Sequence, residues 1–246
     1  MKNTIFKAHL GSGLAWAIAS VLVAAAVPST ASAQYFDDRS AGLVDDIESD
    51  ETWALEFRVG TYQPAIGDSF EKFFAEDTGP LLAFEIDFLP LELHDWFDAG
   101  ITFGFGWSQY VGLATTGETN GTSTEETSLT LYPMPVLAVI RVDALSRRLN
   151  VPLLVTGKLG AEFTIWNSGT GSVSDATNMS IGLHWGVQFA LELDIFNQRA
   201  ARALDEVWGI NHSFLFFELF GSAAHSNLNV APKDGVAWAA GLGFLF

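Results

Sequence analysis

Nine charged residues recur at even spacing inside strand-like runs, and they are the side chains best placed to do chemistry. They are Glu56 and Arg58, Glu85 and Asp87, Lys158 and Glu162, Glu192 and Asp194, and Glu218. Seven are acids and two are bases. If the alternate positions point into a closed interior, these charges must pair with one another or keep water. Two kinds of chemistry follow. A paired network would lock the interior as a plug. An interior with an excess of acid would instead line a narrow, cation-preferring water path.

Catalytic constellations are sparse. Beyond the first residues the histidines are His94, His184, His212 and His225, and none has metal-ligand spacing to another His or to a carboxylate. Ser180 and His184 share a strand face, but four residues along a strand is about 13 Å, too far for a nucleophile and its base. His212-Ser213 and His225-Ser226 are adjacent pairs, so on a strand their side chains point opposite ways. Gly104-Phe105-Gly106 and Gly241-Leu242-Gly243 lie within strand patterns, not at a strand-to-helix turn, and are not nucleotide loops. No cofactor, metal centre or catalytic step is predicted.

The elements that must hold these residues alternate with a period of two. Trp53, Leu55, Phe57 and Val59 share one face; Ala54, Glu56, Arg58 and Gly60 share the other. The pattern recurs at Leu82–Phe88, Ala99–Trp107, Leu153–Ile165 and Ile181–Leu193. Pro133 and Pro135 disturb a further run, because proline cannot donate to a ladder. Residues near 210–221 are apolar on both faces, with Glu218 the only charge. Eight strands are predicted near 52–63, 81–90, 98–111, 128–142, 152–166, 179–194, 210–221 and 235–246. The connections 64–80, 112–127, 167–178 and 222–234 are polar, and those at 91–97, 143–151 and 195–209 include the two shortest. Residues 198–204 are expected to form a short helix.

Alternation alone fits two inverse architectures. A soluble, lipocalin-like barrel buries its apolar face and shows a charged one. Here the polar faces are largely glycine, at Gly100, Gly104, Gly106, Gly160, Gly182, Gly186, Gly241 and Gly243. Small residues fit the cramped lumen of an eight-stranded barrel, and the bulky Phe, Leu and Trp set then faces hydrocarbon. The expected fold is therefore all-β, an eight-stranded antiparallel up-and-down transmembrane β-barrel. Closure satisfies every backbone group, as lipid demands. Trp53 and Trp208 are expected at one rim, and Trp107, Tyr110, Trp166 and Trp238 at the other, as aromatic girdles.

Composition agrees. The chain has 246 residues, with 20 Phe, 8 Trp and no Cys. The net charge of −17 argues against nucleic acid, which needs clustered Lys and Arg. Lys2 and Lys7, the apolar Leu10–Val27 stretch and Ala31-Ser32-Ala33 read as a signal peptide over 1–33, cleaved after Ala33. Residues 34–51 form an acidic leader expected in the periplasm, and 52–246 the barrel.

The last residues, Ala237 to Phe246, read AWAAGLGFLF. Gly241, Phe244 and Phe246 resemble the outer-membrane assembly signal, Gly-x-x-aromatic-x-aromatic, with Ala239 standing where a polar residue is usual. LEFRVGTYQP (Leu55–Pro64), LYPMPVLAVIRVDAL (Leu131–Leu145), KLGAEFTIW (Lys158–Trp166) and the closing AAGLGFLF resemble outer-membrane β-barrel proteins found widely in myxobacteria and relatives. More distantly the chain is similar to small OmpA-, OmpX- and OmpW-like barrels. The resemblance implies a Gram-negative outer-membrane location. It also implies partners: outer-membrane lipid and lipopolysaccharide, periplasmic chaperones and the barrel-assembly machinery. The expected role is structural, surface-interacting or that of a minor pore. The alternatives are a narrow cation-preferring pore and a lipid-modifying outer-membrane enzyme.

Overall fold

A computed structural model describes residues 52–66, 70, 74, 79–93, 96–116, 121–149, 151–170, 173–224 and 226–246. The proposed signal peptide and acidic leader lie outside the described residues. Eight strands form one closed barrel in sequence order. They are β1 (Trp53–Tyr62), β2 (Gly79–Leu93), β3 (Phe97–Thr116), β4 (Gly121–Val142), β5 (Leu153–Thr170), β6 (Val173–Glu192), β7 (His212–Ser222) and β8 (Ala237–Leu245). Every neighbouring pair is antiparallel, and β1 closes on β8 through Ala54↔Leu245 to Thr61↔Trp238. The expected up-and-down barrel is the observed one.

The facing also follows the sequence pattern. Phe57, Ile101, Phe103, Leu159, Leu183 and Phe189 stand on the outside, each about half exposed, whereas Glu56, Asp87, Thr102 and Glu218 inside are fully buried. β7, apolar on both faces, divides cleanly. Leu215, Phe217 and Leu219 point out, and Phe214, Phe216 and Phe220 join Glu218 inside. Glycines opposite these rings are required by space. A Cβ on Gly243 would meet the Phe214 ring at 2.1 Å, and one on Gly241 would meet the Phe57 carbonyl at 1.8 Å.

Three expectations about length and connection are corrected. The polar segments 112–127 and 167–178 are mostly strand, with pairing continuing to Thr116↔Gly121 and Thr170↔Val173. Their threonines favour extended backbone, and a strand wetted on both sides has no hydrophobic period to reveal it. The connection at 143–151 holds a short helix, α1 (Ala144–Leu149). The helix expected at 198–204 exists and runs further, as α2 (Gln198–Trp208).

The interior is layered. An apolar floor comprises Leu89, Val139, Leu154, Ala190, Phe214, Phe216 and Leu245. A cap at the other end gathers Tyr62, Phe70, Phe74, Tyr110, Leu131, Phe220 and Val230. The segment after β7 folds over this end, held by Ala65 N–H to the Ala231 carbonyl (2.7 Å) and Lys233 N–H to the Gln63 carbonyl (2.8 Å). The central charges, Glu56, Arg58, Glu85, Asp87, Lys158 and Glu218, lie between floor and cap.

Candidate functional site in the barrel lumen

Alternation on β1 and β2 sends Glu56, Arg58, Glu85 and Asp87 inward, and Lys158 on β5 and Glu218 on β7 reach the same level from other parts of the wall. Arg58 is the hub. Its guanidinium forms ion pairs with Glu85 at 2.8 Å through Nη2 and with Glu218 at 2.8 Å through Nη1, and it donates a hydrogen bond to Glu56. Lys158 Nζ donates to Glu56 Oε2 at 3.0 Å and Glu85 Oε2 at 2.8 Å. The forked guanidinium suits several carboxylates at once, and lysine adds a compact charge at the centre. Glu56 thus ties β1 to β5 across the lumen, a brace that no ladder bond could supply.

Arg141 extends the network toward the floor. Its Nη2 donates to Asp87 Oδ2 at 3.3 Å, while Thr102 Oγ1 donates to Asp87 Oδ1 at 2.8 Å. Gln188 Nε2 donates to Glu56 Oε1 at 3.0 Å. The cations also rest on rings: Arg58 lies 5.3 Å from the Phe216 centroid and Arg141 lies 5.5 Å from that of Phe214. Desolvated cation–π contacts of this kind are worth about 2 kcal/mol. Four acids and three bases are therefore cross-paired on the apolar floor.

Glu162 belongs to a separate tier nearer the cap. Its Oε2 is 2.6 Å from His184 Nδ1, and its Oε1 accepts from Thr164 Oγ1 and Ser222 Oγ, each at 2.9 Å. The His184 ring stacks on Phe220 with centroids 5.7 Å apart. Glu192 and Asp194 lie at the opposite end of the barrel and do not join the central network. Glu192 accepts from Ser146. Asp194 falls past the end of β6, where its Oδ2 is 2.6 Å from His212 Nδ1 and its Oδ1 accepts from Ser213 Oγ at 3.1 Å. Adjacent His212 and Ser213 were expected to diverge. They meet on one carboxylate because Asp194 sits at the strand terminus and reaches both.

Two expected girdle residues are corrected. Tyr110 is 3% exposed and points into the cap, where its hydroxyl donates to the Tyr62 carbonyl at 2.6 Å. Trp166 packs against the same interior cluster. Both occupy the lumen parity of their strands, which outweighs their amphipathic character. Trp53, Trp208 and Trp238 are exposed, Trp53 beside Phe88 and Trp238 stacked near Phe217.

The missed members are Arg141, His184, Gln188 and Thr102. The inward face of β4 before Arg141 is apolar at Leu131, Leu137 and Val139, so alternation there gave no signal for Arg141. No group of three or more His, Asp or Glu side chains among the described residues is arranged to hold a metal.

No family model matches the chain, and no curated protein matches it. Solved structures do. The chain is similar to the outer membrane protein OprG of Pseudomonas aeruginosa (13% identity, 82% of this chain and 99% of that one, TM-score 0.49). It is similar to Ail, the attachment invasion locus protein of Yersinia pestis (12% identity, 79% and 99%, TM-score 0.44). It is also similar to Neisserial surface protein A (12% identity, 79% and 96%, TM-score 0.42).

Proposed function

We propose that the chain is an integral outer-membrane β-barrel with a solid lumen, serving as a structural anchor and surface-interaction protein. One observation carries this reading. The barrel is turned inside out relative to a soluble one, with Glu, Asp, Arg and Lys fully buried and Phe, Leu, Ile and Val forming the exposed wall. Such a wall in water would be an apolar patch far larger than soluble monomers tolerate. In a bilayer it is the expected band, and closure leaves no strand edge inside it.

The lumen favours the plug over the water path. The central charges are cross-paired and lie between an apolar floor and an aromatic cap. An ion crossing the barrel would have to displace Phe214 and Phe216 and then part Arg58 from three carboxylates. Residues 1–33 are read as the export signal and 34–51 as a periplasmic leader. The β3–β6 hairpins, continuing as paired strand beyond the apolar band, are the natural surface for contacts outside the cell. The partners proposed during biogenesis are periplasmic chaperones and the barrel-assembly machinery, and the partners in place are lipid and lipopolysaccharide. The wider kinship proposed is with the myxobacterial outer-membrane barrels. The proposal includes no catalytic step.

The protein should fractionate with outer membranes and migrate faster on a gel unheated than boiled. In planar bilayers it should give no steady steps. Recovery from the soluble periplasm would refute the membrane reading, and stable cation-selective conductance would refute the solid lumen.

Assembly gives a second expectation. Phe246 closes the β1–β8 seam with its backbone: its N–H donates to the Trp53 carbonyl at 2.8 Å, and its carbonyl accepts from Thr52 N–H at 2.9 Å. Phe246→Ser keeps those bonds and removes only the ring. A drop in inserted protein for this variant, measured as heat-modifiable band in outer-membrane fractions, would identify the ring as part of an assembly signal. Unchanged insertion would leave Gly241, Phe244 and Phe246 as ordinary strand residues.

A further inference from the structure

The connection between β6 and β7 runs from Leu193 to Asn211, longer than the β2–β3 and β4–β5 connections at the same end of the barrel. Outer-membrane barrels usually keep the turns at one end short. Here the added length forms a single 3-10 turn (Asp194–Phe196) and then α2. A helix of 11 residues is marginal in water unless one of its faces is covered.

The two sides of α2 differ sharply. At about 3.6 residues per turn, Ala203, Leu204, Val207 and Trp208 fall on one side and Arg199, Arg202, Asp205 and Glu206 on the other. The barrel covers little of the apolar side, because the main neighbours of α2 are the 3-10 turn and β7. Val207 and Trp208 are each 71% exposed, and Phe196 in the turn is 70% exposed. Leu183 and Phe189 on the outer wall are less open, at 56% and 50%. Gly209, with φ +66°, ends the helix just after the exposed pair and turns the chain back toward β7.

This apolar side continues the outer wall. The β6–β7 ladder carries on past the end of β6, where Leu193 N–H donates to the Ser213 carbonyl at 2.8 Å, so the turn and α2 follow directly on the outward row that includes Phe189. Charge supplies a second pointer. The helices α1 and α2 hold Arg147, Arg148, Arg199 and Arg202 against Asp205 and Glu206, four bases less two acids, or +2, in a chain of net charge −17. Arg199 and Arg202 are exposed.

We propose that α2 lies flat in the headgroup layer of the phospholipid leaflet at this end of the barrel, with anionic phospholipid as its partner. Phe196, Val207 and Trp208 enter the upper acyl region, and Arg199 and Arg202 meet phosphate oxygens. The forked guanidinium suits phosphate, and the arginine stem lies along apolar surface while its head stays wet. The inference rests on the membrane reading above.

The test uses the protein folded into vesicles of phosphatidylcholine and phosphatidylglycerol, with a fluorophore on Glu206→Cys, Val207→Cys or Phe189→Cys. A nitroxide near the lipid headgroup should quench the probe at 207, which should be shielded from aqueous iodide. The probe at 206 should show the reverse. A nitroxide near the chain ends should quench the wall probe at 189. Arg199→Glu with Arg202→Glu should raise iodide access at 207 several-fold. Quenching at 189 without quenching at 207 would overturn the placement of α2 and leave the membrane reading intact. A probe at 207 shielded from iodide but unquenched by lipid would overturn it in favour of cover by a second copy or by segment 34–51. Lipid quenching at neither 189 nor 207 would overturn both readings. Iodide access at 207 unchanged by the double reversal would overturn the assignment of phosphate to the two arginines.

Discussion

Arg58→Leu should lower stability by about 3–5 kcal/mol, the usual cost of removing one partner from a buried ion network. Arg58 touches Glu56, Glu85 and Glu218. Without it three buried carboxylates share Lys158, which lies 2.8–3.8 Å from them, while Arg141 is 3.9 Å from Glu56. Leucine fills part of the space but cannot compensate the charge. The stacking over Phe216 is lost as well. Urea unfolding of protein folded into lipid vesicles, followed by tryptophan fluorescence, measures the change. Arg58→Leu combined with Glu218→Leu should recover part of the loss, because the second change removes one stranded acid. A loss below about 1 kcal/mol for Arg58→Leu would mean that the acids are hydrated. In that event the lumen is wet, and a cation-preferring path regains its standing over a plug.

The barrel was legible because two solvents write a period of two into each strand. Leu183 and Phe189 alternate with His184 and Gln188 on β6, and the parity gave the correct face for every clean strand. β7 was ambiguous because an eight-stranded lumen that carries an apolar floor also selects Phe for its inner face. Phe214 and Phe216 lie under arginines rather than in lipid. Arg141 was hidden for a related reason. Leu137 and Val139 beside it are interior floor and wall residues, so β4 shows no polar face to count from. Tyr110 was misplaced because its amphipathic ring near a strand end was given more weight than its parity on β3, which it shares with the buried Thr102 and Ser108. Its hydroxyl finds the Tyr62 carbonyl of β1, a partner distant in sequence. Asp194 had the right parity for the lumen, but parity lapses where a strand ends.

Val187→Arg should cost about 2–4 kcal/mol in lipid, the depth-dependent penalty for a cation near the bilayer midplane. Val187 stands at the middle of the outward set from Ile181 to Leu191 on β6, between Trp185 and Phe189. Gly157, opposite it on β5, has open space at its Cβ position, so Gly157→Ala should change stability by only a few tenths of a kcal/mol. The pair separates a lipid-facing charge from a general perturbation of the same wall. Because the chain has no cysteine, single-cysteine probes can read the facing directly. The inward probes must avoid two glycines. A Cβ at Gly182 would sit 2.2 Å from the Ala223 backbone, and one at Gly186 would sit 2.5 Å from Glu218 Oε1. Gln188→Cys and Ala190→Cys are better, since both positions already carry side chains directed inward and buried. A lipid-soluble quencher should reach a fluorophore at Leu183→Cys or Phe189→Cys. The thiols of Gln188→Cys and Ala190→Cys should resist labelling in the folded barrel. In a soluble barrel an arginine at Val187 would be nearly neutral, because that face would be in water. Free labelling of the inner thiols, quenching equal at all four positions, or an indifferent Val187→Arg would each overturn the assignment of the outer wall to hydrocarbon.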